Sequence, residues 1–283
     1  MSQDATVNSQ LLERIRDLSS GLPEQQKKVA IYILCHYKEA SFSTATTIAM
    51  KLGVGATTIN RFSQQIGYAG WADLQADLQA LVQSELTALD RIDLQDAPSE
   101  AFKKVLNAEI DSLNRNIRLI SKQHYLDALD LIASKKKLLI VGHQASEAPA
   151  VYASYCLSKV RTNVHRFDLS NSDVLGMINR LSSDDVALVF AHPRYPIKTV
   201  QAIDIFNKYS VPIILVTHSQ NSPYVNKARV VLGISIRYHQ FTDGLSPLIC
   251  LVNALALDLY WRNEAEGKKN LETFESVTPY LFV

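Results

Sequence analysis

The stretch Thr44-Ala-Thr-Thr-Ile-Ala-Met-Lys-Leu-Gly53-Val-Gly-Ala-Thr-Thr-Ile-Asn-Arg-Phe62 carries the sharpest pattern in this 283-residue chain. Ala49 sits in the middle of a short helical segment, Gly53 follows four residues later, Ile59 six after that, and Phe62 three further on. Two helices that cross closely at a tight turn need this arrangement. A small residue lets them approach, glycine supports the turn, and apolar residues on the inner face of the second helix hold it against the first. Ser43 or Thr44 supplies the N-cap and Gly53 the stop. With Ile59, Phe62 and Ile66 turned inward, helical phase turns Ala56, Thr57, Asn60, Arg61 and Gln64 outward, with Thr58 beside them. Such side chains suit double-stranded DNA: Arg pairs guanine, Asn and Gln pair adenine, and Thr touches phosphate or the thymine methyl. The same spacing also suits a helical hairpin that packs or dimerises without touching DNA.

Outward from this stretch, apolar residues keep helical spacing. Leu11, Leu12, Ile15 and Leu18 mark one helix, stopped by Gly21-Leu-Pro23, and Val29, Ile33 and Leu34 mark the next. Trp71 to Leu86 reads as a fifth helix. Between Glu24 and Gly70 the bases Lys27, Lys28, Lys38, Lys51 and Arg61 face only Glu24 and Glu39. With a net charge of +1 for the whole chain, a nucleic-acid surface must be local. Asp90 to Ser99, polar and broken by Pro98, reads as a linker. A helix to about Ile120 and a shorter one over Tyr125–Ala133 follow.

After Lys135-Lys136-Lys137 the pattern changes to short apolar runs separated by helix-length segments: Leu138–Val141, Val164–Phe167, Val186–Phe190, Pro212–Thr217 and Val230–Ile234. Strands apolar throughout are buried on both faces, and their alternation with helices implies a parallel sheet. The expectation is an all-α helix-turn-helix domain over 1–86, a linker with helix over 87–123, and a doubly wound α/β domain over 124–283.

Parallel sheets bind ligands at the carboxyl ends of their strands. After the first strand, Gly142-His143-Gln144-Ala-Ser146 combines a tight turn with a hydroxyl near a helix N-terminus. After the third, Ala191-His192-Pro-Arg194-Tyr195-Pro196 leads into a helix bearing Thr199, and its two prolines present His192, Arg194 and Tyr195 from a stiff frame. Arg194 is placed to clamp a phosphate or carboxylate. Asn171, Ser172 and Thr217-His-Ser219 are weaker candidates, and Tyr238–Asp243 suits a lid or interface.

Composition excludes several classes. Hydrophobic residues make up 47% and charged residues 20%, ample for about two cores at ~150 residues each. No apolar run approaches the ~18–20 residues needed to span a bilayer: the longest, Pro247 to Ala256, is interrupted by Asn253. Met1-Ser-Gln-Asp-Ala lacks a basic start and apolar block. Cys35, Cys156 and Cys250 have neither disulfide-framework nor zinc spacing. A cytoplasmic chain with no membrane partner, metal or cofactor is expected. Gln144 and Ala145 break the dinucleotide fingerprint, which disfavours a nicotinamide enzyme.

Leu22-Pro-Glu-Gln-Gln-Lys-Lys-Val-Ala-Ile-Tyr-Ile-Leu34, the Arg61-Phe62 pair and Ile66-Gly-Tyr-Ala-Gly-Trp-Ala-Asp-Leu74 resemble the N-terminal domain of the RpiR/MurR family of bacterial transcriptional regulators. The segment from Lys136 to Arg262 resembles the SIS, or sugar isomerase, domain that completes those regulators, with a five-stranded parallel sheet flanked by helices. That resemblance implies a homodimer or homotetramer on a palindromic operator. It also implies an SIS domain that senses a small anionic metabolite, a sugar phosphate or sugar acid, without turnover. The family usually has Ser and Glu where this chain has Gly55 and Ala56. Its usual first loop, Gly-x-Gly-x-Ser, keeps Gly142 and Ser146 but has Gln144 at the second glycine. The usual Ser/Thr-rich phosphate loop is replaced by the Pro193-Arg-Tyr195 loop, similar to a Pro-Arg-Tyr subgroup. Implied DNA contacts are Ala56, Thr57, Thr58, Asn60, Arg61 and Gln64. Implied effector contacts are Gly142, His143, Gln144, Ser146, His192, Arg194, Tyr195 and Thr199. Two alternatives remain: an SIS-fold isomerase using His143, His192 or Glu147, which begins the first body helix, as base, and a dimerising body without an effector.

Overall fold

The computed structural model describes residues 4–85, 100–218 and 222–281. The expected linker Asp90–Ser99 and the candidate Ser219 lie outside them. The chain forms two compact units that part at Gln95 and Asp96.

The first unit is helical: α1 (Asp4–Ser19), α2 (Glu24–Phe42), α3 (Ala45–Leu52), α4 (Ala56–Gln65) and α5 (Trp71–Glu85). Thr44 caps α3, its hydroxyl accepting from the Thr47 N–H at 3.1 Å. Both helices of the central pair end the same way. Gly53 (φ 64°) closes α3 with Gly53 N–H donating to Met50 O and Val54 N–H to Ala49 O. Gly67 (φ 91°) closes α4 with Gly67 N–H donating to Gln64 O and Tyr68 N–H to Ser63 O. These paired bonds satisfy the last carbonyls of each helix, and the left-handed residue they require is glycine both times. Ile48, Ala49, Ile59, Phe62 and Ile66 are buried in one core with Val29, Ile33, Trp71 and Leu74. The carbonyls at the end of α2 are satisfied from α5. Gln75 donates to Ser41 O and Ser43 O, Gln79 to Ser41 O, and the Trp71 indole N–H to Ser43 O.

The second unit opens with α6 (Ala101–Leu119) and α7 (Lys122–Ser134). It continues through β1 (Leu138–Val141), α8 (Glu147–Ser158), β2 (Val164–Arg166), α9 (Val174–Ile178), β3 (Val186–Phe190), α10 (Ile197–Lys208), β4 (Ile213–Thr217) and β5 (Val230–Gly233). A short hairpin, β6 (Arg237–His239) and β7 (Thr242–Gly244), precedes α11 (Ser246–Arg262) and α12 (Glu264–Leu281). Five strands pair in parallel in the order β2-β1-β3-β4-β5. β1 and β3 are apolar throughout because each strand feeds two cores. Leu138, Ile140, Leu188 and Phe190 pack with α7, α8 and α11. Leu139, Val141, Ala187 and Val189 pack with α10 and Phe167 on the other face. The hairpin and α12 carry no strand or helix expectation from sequence. Among the described residues no helix is long and apolar enough to cross a membrane, and no cluster of three or more His, Cys, Asp or Glu can hold a metal.

The β1–α8 turn is tight. A Cβ on Gly142 would lie 2.1 Å from Ser146 O and 2.8 Å from Ala150 Cβ. Gln144 sits at φ 56°, a left-handed conformation that glycine adopts without cost. Gly142→Ala is expected to cost about 1–3 kcal/mol, the range for overpacking. Gln144→Gly is expected to recover up to about 1 kcal/mol of backbone strain. Urea unfolding checks both, and a Gly142→Ala chain as stable as the parent would show that the turn has slack.

Candidate functional site

On the helical unit, α4 presents Ala56, Thr57, Asn60, Arg61 and Gln64 on its exposed face, with Thr58 half-buried. Asn60 has a second task. Its Oδ1 accepts the backbone N–H of Trp71 at 3.0 Å, tying α4 to the start of α5. Pairing with adenine uses both ends of an Asn amide, and in Asn60 the oxygen also serves this tie. Gly55 stands at the N-cap of α4 without a side-chain bond. The local positive charge is also smaller than composition suggests. Lys51 pairs with Glu39 at 2.6 Å and Lys27 with Glu24 at 3.0 Å, while Lys28, Lys38 and Arg61 are exposed.

In the α/β unit the strand order reverses between β1 and β3, and the loops after them diverge to opposite faces. An open cleft of about 380 Å³ lies there, walled by His143, Gln144, Ala145 and Ser146 from the first loop and His192, Pro193, Arg194 and Pro196 from the second. Ile236, Tyr238, Asp243, Leu245 and Leu248 complete it from the hairpin and α11. Gln144 and Arg194 both have positive φ, 56° and 64°, so each of the two loops holds one non-glycine residue in a strained conformation facing the cleft.

The two histidines are fixed differently. His143 is buried, its Nε2 donating to Asp168 Oδ1 at 3.2 Å and its Nδ1 3.0 Å from Thr199 Oγ1. Both ring nitrogens are therefore engaged. The Ser170 N–H above all, helped by its hydroxyl and by His143, holds the Asp168 carboxyl below its usual range. His192 is 5% exposed, and its Nε2 donates to Ile234 O at 3.1 Å. Burial pushes its pKa down to about 4, against a smaller opposing effect of that carbonyl, so the ring is neutral near pH 7. Its buried Nδ1 has no partner.

Of the expected effector residues, His143, Gln144, Ser146, His192 and Arg194 are brought together around the cleft. Gly142, Tyr195 and Thr199 are not. Gly142 is backbone geometry. Thr199, fully buried, serves His143 from behind. Tyr195 turns away, its hydroxyl 3.2 Å from His218 Nδ1 and its ring edge-on to Tyr224. Of the weaker candidates, Asn171 accepts the Asp173 N–H as a local turn, while Thr217 is buried. Sequence reading left Ile236, Leu245 and Leu248 unmarked. They reach the cleft from the segments flanking the hairpin and from the first turn of α11.

That hairpin is bolted to α6. Glu109, buried, accepts from His239 Nε2 at 2.6 Å and from the Ser246 N–H at 3.3 Å. Asn116 exchanges two bonds with the backbone of Ser235, donating to its carbonyl at 2.7 Å and accepting from its N–H at 2.9 Å. Residues 234–246 thus touch His192 at one end, wall the cleft in the middle, and grip α6 from both sides.

A helix-turn-helix model of the rpiR family matches residues 9–85, and a SIS-domain model matches residues 131–258. The HTH-type transcriptional regulator HexR of Escherichia coli K12 is 22% identical over 269 residues, 93% of this chain and 92% of that protein. An HTH-type transcriptional regulator of Haemophilus influenzae is 24% identical over 231 residues, 78% of each chain. In fold the chain is similar to the Vibrio vulnificus NanR protein complexed with ManNAc-6P, with a TM-score of 0.60, 20% identity, and coverage of 96% of this chain and 99% of that one. With its helical unit matched by the one model and its parallel-sheet unit by the other, the chain belongs to the RpiR family of helix-turn-helix transcriptional regulators that carry a SIS domain.

Proposed function

We propose that this regulator senses a small anionic metabolite, a sugar phosphate or sugar acid, in the cleft between the β1 and β3 loops. In response it controls a catabolic operon through α4. The observation that carries this reading is the placement of exposed Arg194 at the carboxyl end of β3, on the cleft that the strand reversal opens. A homodimer or homotetramer on a palindromic operator follows from the need for two heads on a two-fold site.

Binding without turnover is favoured over isomerisation by the histidines. A general base must reach the proton it removes and have a pKa near the working pH. His143 has both nitrogens committed, and His192 is a weak base with a pKa of about 4. For coupling, the route supported by geometry is the segment 234–246, which joins the cleft to α6 through Glu109 and Asn116. α6 is the first described element after the segment leading from the helix-turn-helix unit. The coupling free energy needed is about 1–3 kcal/mol.

Arg61→Ala is expected to weaken operator binding by about 1–3 kcal/mol, roughly 10- to 100-fold, with the fold unchanged. Mobility-shift titration on an operator selected from random DNA checks it, and equal binding would remove α4 as the reading helix. Arg194→Ala is expected to retain operator affinity while losing the effector response, and a variant that still responds normally would exclude this loop as the sensor. Hydrogen exchange with bound effector is expected to slow over both 101–119 and 234–246. Protection confined to the 142–146 and 192–196 loops would rule out the α6 route.

A further inference from the structure

One cation and one buried lone pair on the wall of the cleft bear on the ligand it takes. His192 supplies an acceptor. Because a carbonyl oxygen only accepts, the bond to Ile234 O places the ring proton on Nε2 and leaves Nδ1 as a bare lone pair. That lone pair is buried and unpartnered in a residue that walls the cleft. A hydroxyl satisfies such a lone pair, whereas a carboxylate or a fully ionised phosphate brings no proton to it.

Among the described residues lining the cleft Arg194 is the one Lys or Arg, and the other side-chain donors there, Gln144, Ser146 and Tyr238, are neutral. The Thr199 hydroxyl, which lies in the next helix, is committed to His143 and fully buried. A phosphate monoester carries about −1.5 to −2 charges and three acceptor oxygens near pH 7. A carboxylate carries one charge and two coplanar oxygens, which a single guanidinium fork matches. Ile236, Leu245 and Leu248 offer an apolar wall against which the C–H face of a carbon chain can lie.

We propose that the cleft takes an unphosphorylated polyhydroxy monocarboxylate, a sugar acid, with Arg194 pairing its carboxylate and His192 Nδ1 accepting one of its hydroxyls. This rests on the reading of the cleft as the effector site and names the ligand class for it. His192 is then a specificity-determining residue: it rejects analogues that lack the hydroxyl, because its lone pair would stay buried and unpaired.

The test is calorimetric titration of the full chain with matched probes. Four- to six-carbon aldonic and uronic acids, D-gluconate and D-glucuronate among them, are each set beside their phosphorylated counterparts and inorganic phosphate. The expected result is an acid that binds at least tenfold more tightly than its phosphorylated counterpart. Binding of that acid should fall at least tenfold in Arg194→Ala and in one member of its monodeoxy series, read on the unaltered protein so that no folding defect intervenes. His192→Gln should narrow the deoxy discrimination. A phosphorylated sugar that binds more tightly than every acid, and loses binding in Arg194→Ala, overturns the proposal while leaving the cleft as effector site. An acid whose binding is indifferent to Arg194→Ala overturns the site itself. A monodeoxy series bound as tightly as the parent acid removes His192 from the recognition, and a panel in which no acid binds overturns the ligand class.

Discussion

The reversal of strand order between β1 and β3 is the constraint on which the candidate ligand site depends. In an order of 2-1-3-4-5, the chain leaves β1 for one face of the sheet and β3 for the other. α8 packs accordingly on one core and α10 on the opposite one. The two loops must part at the carboxyl edge, and an opening between them is unavoidable. The side chains that wall it then decide its chemistry. Here they are one exposed arginine, a neutral buried histidine, a carboxylate and an apolar wall, a set closer to a binding pocket than to an acid–base pair.

Holding that opening in shape takes strain and hydrogen bonds in equal part. Gln144 and Arg194 each occupy left-handed backbone that glycine would hold freely. Asp168 and Thr199 fix His143 from behind, and Ile234 fixes His192 from above. Ile234 also continues the β4–β5 ladder through its own N–H to Thr217 O. His192 is thereby tied to the chain that leaves the sheet, which is tied in turn to α6 through Ser235 and Asn116.

The helical unit follows a different economy. Its two crossing helices end in the same glycine-closed geometry, and its surface polar residues are partly spent on structure. Asn60 holds the start of α5, while Gln75 and Gln79 complete the end of α2. Of the residues that helical phase turns outward, Thr57 and Arg61 keep the exposure that nucleic-acid contact requires, while the exposed Gln64 amide also donates to Ala69 O at 3.5 Å.

Local physics made much of this legible in the chain itself. Leu138–Val141 and Val186–Phe190 read as strands to the residue, because burial on both faces leaves unbroken apolar runs. Thr44, Gly53 and Gly67 marked helix ends because capping and left-handed closure restrict residue type. The β6–β7 hairpin was not legible as strands: three residues with mixed polarity, standing off the main sheet, carry no periodic signal. The linear sequence likewise placed His143, His192, Arg194, Tyr195 and Thr199 at strand ends, which was enough to mark the two loops that wall the cleft. It did not separate wall from frame, since Tyr195 turning toward His218 and Thr199 backing His143 depend on contacts 23 and 56 residues apart. Sequence alone therefore determined the two units, the five strands of the parallel sheet and the loops at their carboxyl ends, because burial pattern and backbone restriction are local. Only the tertiary structure decided which ring nitrogen of His192 bears the proton and which side chains face the cleft, because both are set by partners far away in the chain.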